Sequence, residues 1–198
     1  MEACENVCFI SMAARIHLVR HGVSAHVHDG SWVNAERARR FVELYDAAGI
    51  RDEPPLPEAL DAAARADTLV ASTLPRAIES VRRLAPDRDA DLTPLLREID
   101  FESPEWLRLR LPVGVWDVMG HAIYTYHIMR RRPTPALERA REATDWLLAR
   151  VRKDATLLAV THGGFRRFLL ATLVDRGWTP EFTRKTYHNW SVWSFRGP

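Results

Sequence analysis

Short, largely apolar runs alternate with segments of helical periodicity along almost the whole chain, and this alternation limits the folds open to it. "RIHLV" (15–19), "TLVAS" (68–72) and "TLLAV" (156–160) have the length and composition of strands buried on both faces. A weaker strand is predicted at "ADLTP" (90–94), and "WSVWSF" (190–195) alternates like a final strand. The sequence therefore predicts an α/β fold with a mostly parallel central sheet and helices on both faces.

The helices are predicted from apolar residues spaced three or four apart. In the first helix, which Gly49 ends, the apolar stripe consists of Ala38, Phe41, Val42, Tyr45 and Ala48. Further helices are predicted over about 57–66, about 135–151 and 164–174. Another helix is expected to open at Pro75, with Ser72 or Thr73 as its cap.

The length of 198 residues suits one domain with a sizeable core. We expect residues 1–14 to be a flexible N-terminal extension and residues 15–198 to form the single domain. Within it, residues 103–133 contain three prolines and two tryptophans and have no clear periodicity. This segment is predicted to be a small inserted cap that sets specificity.

Charge and composition exclude several classes of function. The formal net charge is only +2, so no overall field attracts nucleic acid or a membrane surface. No apolar run approaches the roughly 20 residues needed to span a bilayer. The start does not resemble a secretory signal, Met12 is an alternative initiator to Met1, and the cytoplasm is the expected compartment. Cys4 and Cys8 are too few for a disulfide framework or a four-cysteine zinc site.

Reactive residues follow three of the predicted strands, at the end where α/β sheets bind ligands. They are Arg20-His21-Gly22 after the first strand, Ser72 and then Arg76 after the second, and Thr161-His162-Gly163-Gly164 after the third. The fold would bring these groups into one cleft. Two arginines and two histidines that meet at one point predict a site for a dianion such as phosphate, to which helix N-terminal amides add partial positive charge. A glycine such as Gly163 lets the backbone approach a ligand closely.

The motifs "LVRHG", "STLPRA" and "VTHGG", in that order, resemble the histidine phosphatase superfamily, which includes cofactor-dependent phosphoglycerate mutase. The resemblance covers about residues 15–195 and implies a phosphoglycerate mutase-like fold. It also implies that His21 is the nucleophile, that Arg20, Arg76 and His162 bind phosphate, and that Glu98 in "LLREIDF" is the general acid. The expected activity is metal-independent hydrolysis of a small phosphorylated metabolite through a phosphohistidine, without a cofactor.

Some alternatives stay open at this stage. Apolar neighbours of Glu98 predict a partly desolvated carboxyl, but rival acids follow closely: Asp100, Glu102 and Glu105. The segments "SAHVHD" and "DFESPEW" differ from the pattern of phosphoglycerate mutases, which favours a phosphatase. A mutase-type phosphotransferase remains an alternative, as does a non-catalytic module that binds a phosphorylated ligand. The oligomeric state and the physiological substrate are not predicted.

Other polar and aromatic residues allow two interpretations each. Metal ligation is conceivable at His26, His28 and Asp29, although a solvated loop or a substrate-contacting rim is favoured. Four aromatic residues either line a substrate pocket or pack within the insertion: Trp106, Trp116, Tyr124 and Tyr126. The arginines at 130–132 are solvated or attract a polyanion, and His188 and Asn189 are expected to be structural.

Overall fold

A computed structural model of the chain describes residues 13–27, 30–99, 110–112, 114–116, 118–119, 122, 126, 128, 130, 133–182 and 185–198. Six strands form one sheet, in the order β4-β3-β6-β1-β8-β7. Their bounds are Arg15–Arg20 (β1), Thr68–Ser72 (β3), Asp91–Thr93 (β4), Thr156–Thr161 (β6), Thr179–Pro180 (β7) and Val192–Arg196 (β8). The strands that sequence periodicity predicts are thus all present, with ends shifted by one or two residues.

The direction of the strands follows the α/β prediction. Strand β6 pairs in parallel with both β1 and β3, and β3 pairs in parallel with β4. Only β8 runs the opposite way, since it is antiparallel both to β1 and to its other neighbour, the edge strand β7. Because Arg20 pairs with Thr161, the carboxyl ends of β1 and β6 are level with each other at one edge of the sheet.

Alternate residues of the central strands fill two separate cores. Ile16 and Leu18 of β1 belong to the core on one face, whereas Val19 belongs to the core on the other. In β6, Leu157 and Leu158 divide between the same two cores. This alternation is what a strand with helices on both sides requires, because successive side chains point to opposite faces.

The first helix packs on Val33 and Trp116 through Ala38, whereas the next four bury their apolar stripes against the two faces of this sheet. The bounds of the helices are Ala35–Ala47 (α1), Pro57–Arg65 (α2), Pro75–Leu84 (α3), Pro135–Leu148 (α4) and Phe165–Asp175 (α5). Three of them begin with proline, which is tolerated at the first position because an N–H there would have no acceptor within the helix. Residues of α2 and α3 pack into the core with Val19, and residues of α4 and α5 pack into the core with Leu18.

Two predicted helix ends were wrong. The N-cap residue of α3 is Leu74, which makes no side-chain cap bond, so neither Ser72 nor Thr73 caps this helix. The Ser72 hydroxyl instead accepts a hydrogen bond from Leu74 N at 3.3 Å and contacts His162. Helix α4 ends at Leu148, with Ala149 as its C-cap, rather than at residue 151.

In the predicted cap, residues 111–112 and 116 contact the segment before α1. Strands Trp32–Val33 (β2) and Leu111–Pro112 (β5) form a separate antiparallel pair. Trp116 is 2% exposed, and its Nε1 donates to the carbonyl of Val33 at 3.0 Å. This tryptophan is therefore a packing residue. Its aromatic companions Trp106 and Tyr124 lie outside the described residues.

In the parts of the chain that the structure describes, no helix is both long enough and apolar enough to cross a bilayer.

Leu18 offers a test of the two-core sheet, because it is fully buried at the centre of β1. Leu18→Ala should lower the free energy of unfolding by about 2–5 kcal/mol, through lost burial and the cavity that remains. Leu44→Ala on α1 is the matched control, since Leu44 is 49% exposed and its loss should change stability by no more than about 0.5 kcal/mol. Urea unfolding followed by circular dichroism measures both, and equal effects would contradict the assigned core.

Candidate active site

The two predicted catalytic histidines lie against each other at the carboxyl edge of the sheet. The rings of His21 and His162 have centroids 5.0 Å apart. His21 follows β1 and His162 follows β6, so their proximity results directly from the parallel pairing of these strands. The His21 residue is 1% exposed and His162 is fully buried.

The His21 ring is oriented by the glycine that follows it. Its Nδ1 lies 2.7 Å from the carbonyl oxygen of Gly22. A carbonyl oxygen can only accept, so Nδ1 carries the proton and Nε2 carries the free lone pair in the neutral ring. Burial, then the charges of Arg76 and Arg20, lower the pKa of His21 well below its usual value. The environment therefore keeps Nε2 available as a nucleophile.

His162 is oriented by a residue of the second motif. Its Nε2 lies 2.8 Å from the hydroxyl oxygen of Ser72, which already accepts the Leu74 N–H. The Ser72 hydroxyl is therefore free to donate to Nε2, which favours the tautomer with the proton on Nδ1. Within the described residues, the buried Nδ1 has no hydrogen-bond partner. Burial is the main cause that lowers the pKa of His162, followed by the nearby His21.

The two predicted arginines join the histidines. Arg76, in the first turn of α3, is fully buried, forms an ion pair with Asp46 at 2.9 Å and donates to the carbonyl of Tyr45. Arg20 donates through its Nη1 to the carbonyl of Tyr187. The Nε atoms of Arg20 and Arg76 are buried and lack a hydrogen-bond partner among the described residues. The site thus holds unmatched buried donors, the condition in which an anion is bound favourably.

Glycines at the strand ends make room for these side chains. A Cβ on Gly163 would lie 3.1 Å from Arg20 Nε, so the Arg20 guanidinium can lie close to the backbone of the third motif. A Cβ on Gly22 would lie 2.4 Å from the buried ring of Trp190, so this ring would have to shift. Both positions depend on close approach rather than on an unusual backbone angle.

The predicted acid, Glu98, lies at the N-terminus of α5 rather than in an apolar environment. Its carboxylate accepts from Phe165 N at 2.8 Å, from Ile99 N at 3.0 Å and from Gly164 N at 3.1 Å. The expectation of a partly desolvated carboxyl was therefore incomplete, because backbone amides surround the group. The sequence suggested that helix N-terminal amides would face the ligand. At the start of α5, however, the amides of Gly164 and Phe165 donate to Glu98. The rival carboxylates Asp100, Glu102 and Glu105 lie outside the described residues.

A turn near the C-terminus holds His21 and Gly22 from the other side. The Nδ2 of Asn189 donates to the carbonyls of His21 and Gly22 at 2.9 and 3.0 Å. The expectation that Asn189 is structural agrees with these contacts, which hold the loop that carries His21. Ser80 of α3 completes the support, since its hydroxyl accepts Gly22 N at 2.8 Å.

Arg166 anchors that turn and was missed by the sequence analysis. It is fully buried, and its guanidinium donates to the carbonyls of Ser191 at 2.9 Å and Thr186 at 2.8 Å. The guanidinium carbon lies 3.9 Å from the centroid of the Trp193 ring. Burial lowers its pKa to about 9, so the group remains charged at neutral pH. No local pattern distinguished it from the neighbouring Arg167.

The remaining candidates lie apart from this cluster or outside the described residues. The His26 ring stacks on Phe41 at 4.7 Å, on the α1 side of the cleft. Its suggested partners for a metal, His28 and Asp29, are not among the described residues. Tyr126 is 45% exposed, with the guanidinium of Arg130 over its ring.

Comparison with known proteins agrees with this geometry. The family model of the histidine phosphatase superfamily (branch 1) matches residues 16–196. The fold is similar to that of Entamoeba histolytica phosphoserine phosphatase in complex with 3-phosphoglyceric acid, at 15% identity over 81% of this chain and 80% of that one, with a TM-score of 0.52. It is also similar to mycobacterial glucosyl-3-phosphoglycerate phosphatase in complex with VO3, at 20% identity over 82% and 83% of the chains, with a TM-score of 0.53. No curated protein matches. The similarities confirm the predicted phosphoglycerate mutase-like α/β fold.

The buried histidines predict a specific dependence of stability on pH. The pKa of His162 is lowered on folding, so below its ordinary value of about 6.5 the unfolded chain binds more protons than the native protein. Stability should therefore fall as the pH decreases below about 6.5, by up to about 1.4 kcal/mol per pH unit for each such histidine. Urea unfolding at pH 7 and pH 5 measures the loss. It should be smaller in His162→Gln than in the wild type, and an equal loss in both would contradict a neutral buried His162.

Proposed function

Because the chain belongs to the histidine phosphatase superfamily (branch 1), we propose that it is a phosphatase that hydrolyses a small phosphorylated metabolite through a phosphohistidine on His21, without a metal ion. The observation that carries the proposal is the state of His21: a neutral ring whose Nδ1 donates to Gly22 and whose Nε2 is left with its lone pair. The two phosphatases described above, at 15% and 20% sequence identity, support the fold on which the proposal rests.

In the first step, Nε2 of His21 attacks phosphorus while the bond from phosphorus to the ester oxygen breaks. The negative charge on the phosphoryl oxygens is balanced by Arg20, Arg76 and the Nδ1–H of His162. Phosphoryl transfer depends mainly on such positioning and charge neutralisation. These three side chains have buried N–H groups for which the described residues supply no acceptor, which supports their role as phosphate ligands.

The leaving oxygen needs a proton, and we assign its donor to Glu98 in the protonated form. In the second step a water molecule attacks phosphorus, the bond from phosphorus to Nε2 breaks, and the Glu98 carboxylate takes the proton of that water. Inorganic phosphate then leaves and the neutral His21 is restored. The support for Glu98 is its position beside Gly164 and Phe165, directly after the His162 motif, where the two amides would stabilise the carboxylate that remains once the proton is given.

Discrimination between substrates is assigned to residues 103–133, since the groups around His21 contact only the phosphate. The part of this segment that is described packs on Val33, next to α1. A cap anchored there would cover the cleft from the α1 side. The proposed chemistry itself does not depend on this assignment.

His21→Ala should abolish the hydrolysis of p-nitrophenyl phosphate, because it removes the nucleophile and leaves the sheet intact. His17→Ala is the matched control, since His17 lies in the same β1 strand and bonds to Ser194 rather than to the site. We expect it to keep activity. Release of p-nitrophenolate measures both, and EDTA should not reduce the wild-type rate. Wild-type turnover by His21→Ala, or full inhibition by EDTA, would refute the mechanism.

Glu98→Gln tests the proton donor through the leaving group. A positioned general acid contributes about 10²–10⁴-fold to a rate, so hydrolysis of an alkyl phosphate should slow by that factor. Hydrolysis of p-nitrophenyl phosphate should slow much less, because nitrophenolate leaves without a proton. Asp100→Asn is the control and should change neither rate much. If Asp100→Asn shows the loss that depends on the leaving group and Glu98→Gln does not, the acid is Asp100.

A further inference from the structure

Tyr45, which the sequence analysis assigned only to the apolar stripe of α1, lies against the catalytic residues. Its ring packs edge-on to the ring of His21, with centroids 6.3 Å apart. The guanidinium of Arg76 lies over the ring, 4.4 Å from its centroid, and its Nη1 donates to the Tyr45 carbonyl at 2.9 Å. Both the backbone and the ring of Tyr45 are thus held by groups of the proposed phosphate site.

The position of the ring is fixed from the solvent side as well. Phe41, one helical turn earlier, stacks on Tyr45 with centroids 6.2 Å apart, and His26 stacks on Phe41 in turn. Asp46, the next residue, forms the ion pair with Arg76. The end of α1 and the arginine therefore hold each other in place, which makes the direction of the Tyr45 side chain well defined.

The charges that act on the Tyr45 hydroxyl are those of the site itself. Burial is the main cause that raises its pKa, and the nearby charges are those of Arg76, Arg20 and Glu98. The phenol therefore stays protonated at neutral pH. The Arg20 guanidinium lies within hydrogen-bonding reach of the phenol oxygen. Since a guanidinium can only donate, the oxygen accepts from Arg20 and its own O–H remains available.

We infer that the Tyr45 hydroxyl is a further ligand of the phosphoryl group, donating a hydrogen bond to one of its non-bridging oxygens. This rests on the proposed function, because it assumes that the phosphate binds between Arg20, Arg76 and His21. The hydroxyl lies among these same groups, and no covalent bond or proton transfer is required of it. Its role is to add a neutral donor to a site otherwise built from charged arginines and histidines.

Tyr45→Phe is the direct test, because it removes the hydroxyl and keeps the ring that packs on His21 and Arg76. The dissociation constant of inorganic phosphate, measured by isothermal titration calorimetry, should rise about 10- to 100-fold, the effect of losing one hydrogen bond to a charged group. The kcat/KM for p-nitrophenyl phosphate should fall by at least the same factor. Thermal unfolding of the variant without phosphate should remain close to that of the wild type.

Phe41→Leu is the matched control, since it disturbs the neighbouring ring but removes no donor. It should weaken phosphate binding much less than Tyr45→Phe does. An unchanged phosphate affinity in folded Tyr45→Phe, equal losses in both variants, or a wild type that binds no phosphate would overturn the inference. If phosphate binding depends on the hydroxyl while His21→Ala keeps full activity, the ligand role stands and the proposed function fails.

Discussion

The site depends on positively charged side chains that lie close together and are buried away from water. Arg76 and Arg166 are fully buried, Arg20 lies beside them, and the two histidines are held neutral by burial and by the arginines. Asp46 offsets part of this charge through its ion pair with Arg76. Concentrated cationic donors in a low-dielectric environment bind an anion strongly, because each interaction is worth more there than in water. The arrangement of these side chains therefore favours the binding of an anion such as a phosphate group.

The elements around these charged side chains are linked to one another by hydrogen bonds and packing contacts. Ser80 of α3 holds the amide of Gly22, Asn189 holds the carbonyl of the same residue, and Trp190 packs where a Cβ of Gly22 would be. Arg166 in turn holds the turn that carries Asn189, through the carbonyls of Thr186 and Ser191. The segment that carries His21 is thus held by α3 and by the C-terminal turn at once, and such contacts limit the motion of a preorganised site.

The strands and the meeting of His21 with His162 could be predicted, because apolar runs mark the strands and parallel strands share an edge. The N-cap of α3 could not be predicted, since the Ser72 hydroxyl could cap the helix or bond to a distant side chain. Its contact with His162 is apparent only in the packed structure. The surroundings of Glu98 were missed for a similar reason: the amides it accepts belong to a helix distant in sequence. Tyr45 carried no signal at all, because a tyrosine in an apolar stripe is indistinguishable from a core residue until its neighbours are known.

The position of β1 within the sheet has a consequence for how the protein is made. Its two neighbours are β6 and β8, which come from the far end of the chain. Pairings between distant segments raise the contact order and slow folding, since a long loop must close before any contact is gained. When His21 first emerges from the ribosome, His162 and the two strands that pair with β1 have therefore not yet been synthesised. Catalytic competence should arise in one late event, when the C-terminal strands emerge and insert on both sides of β1.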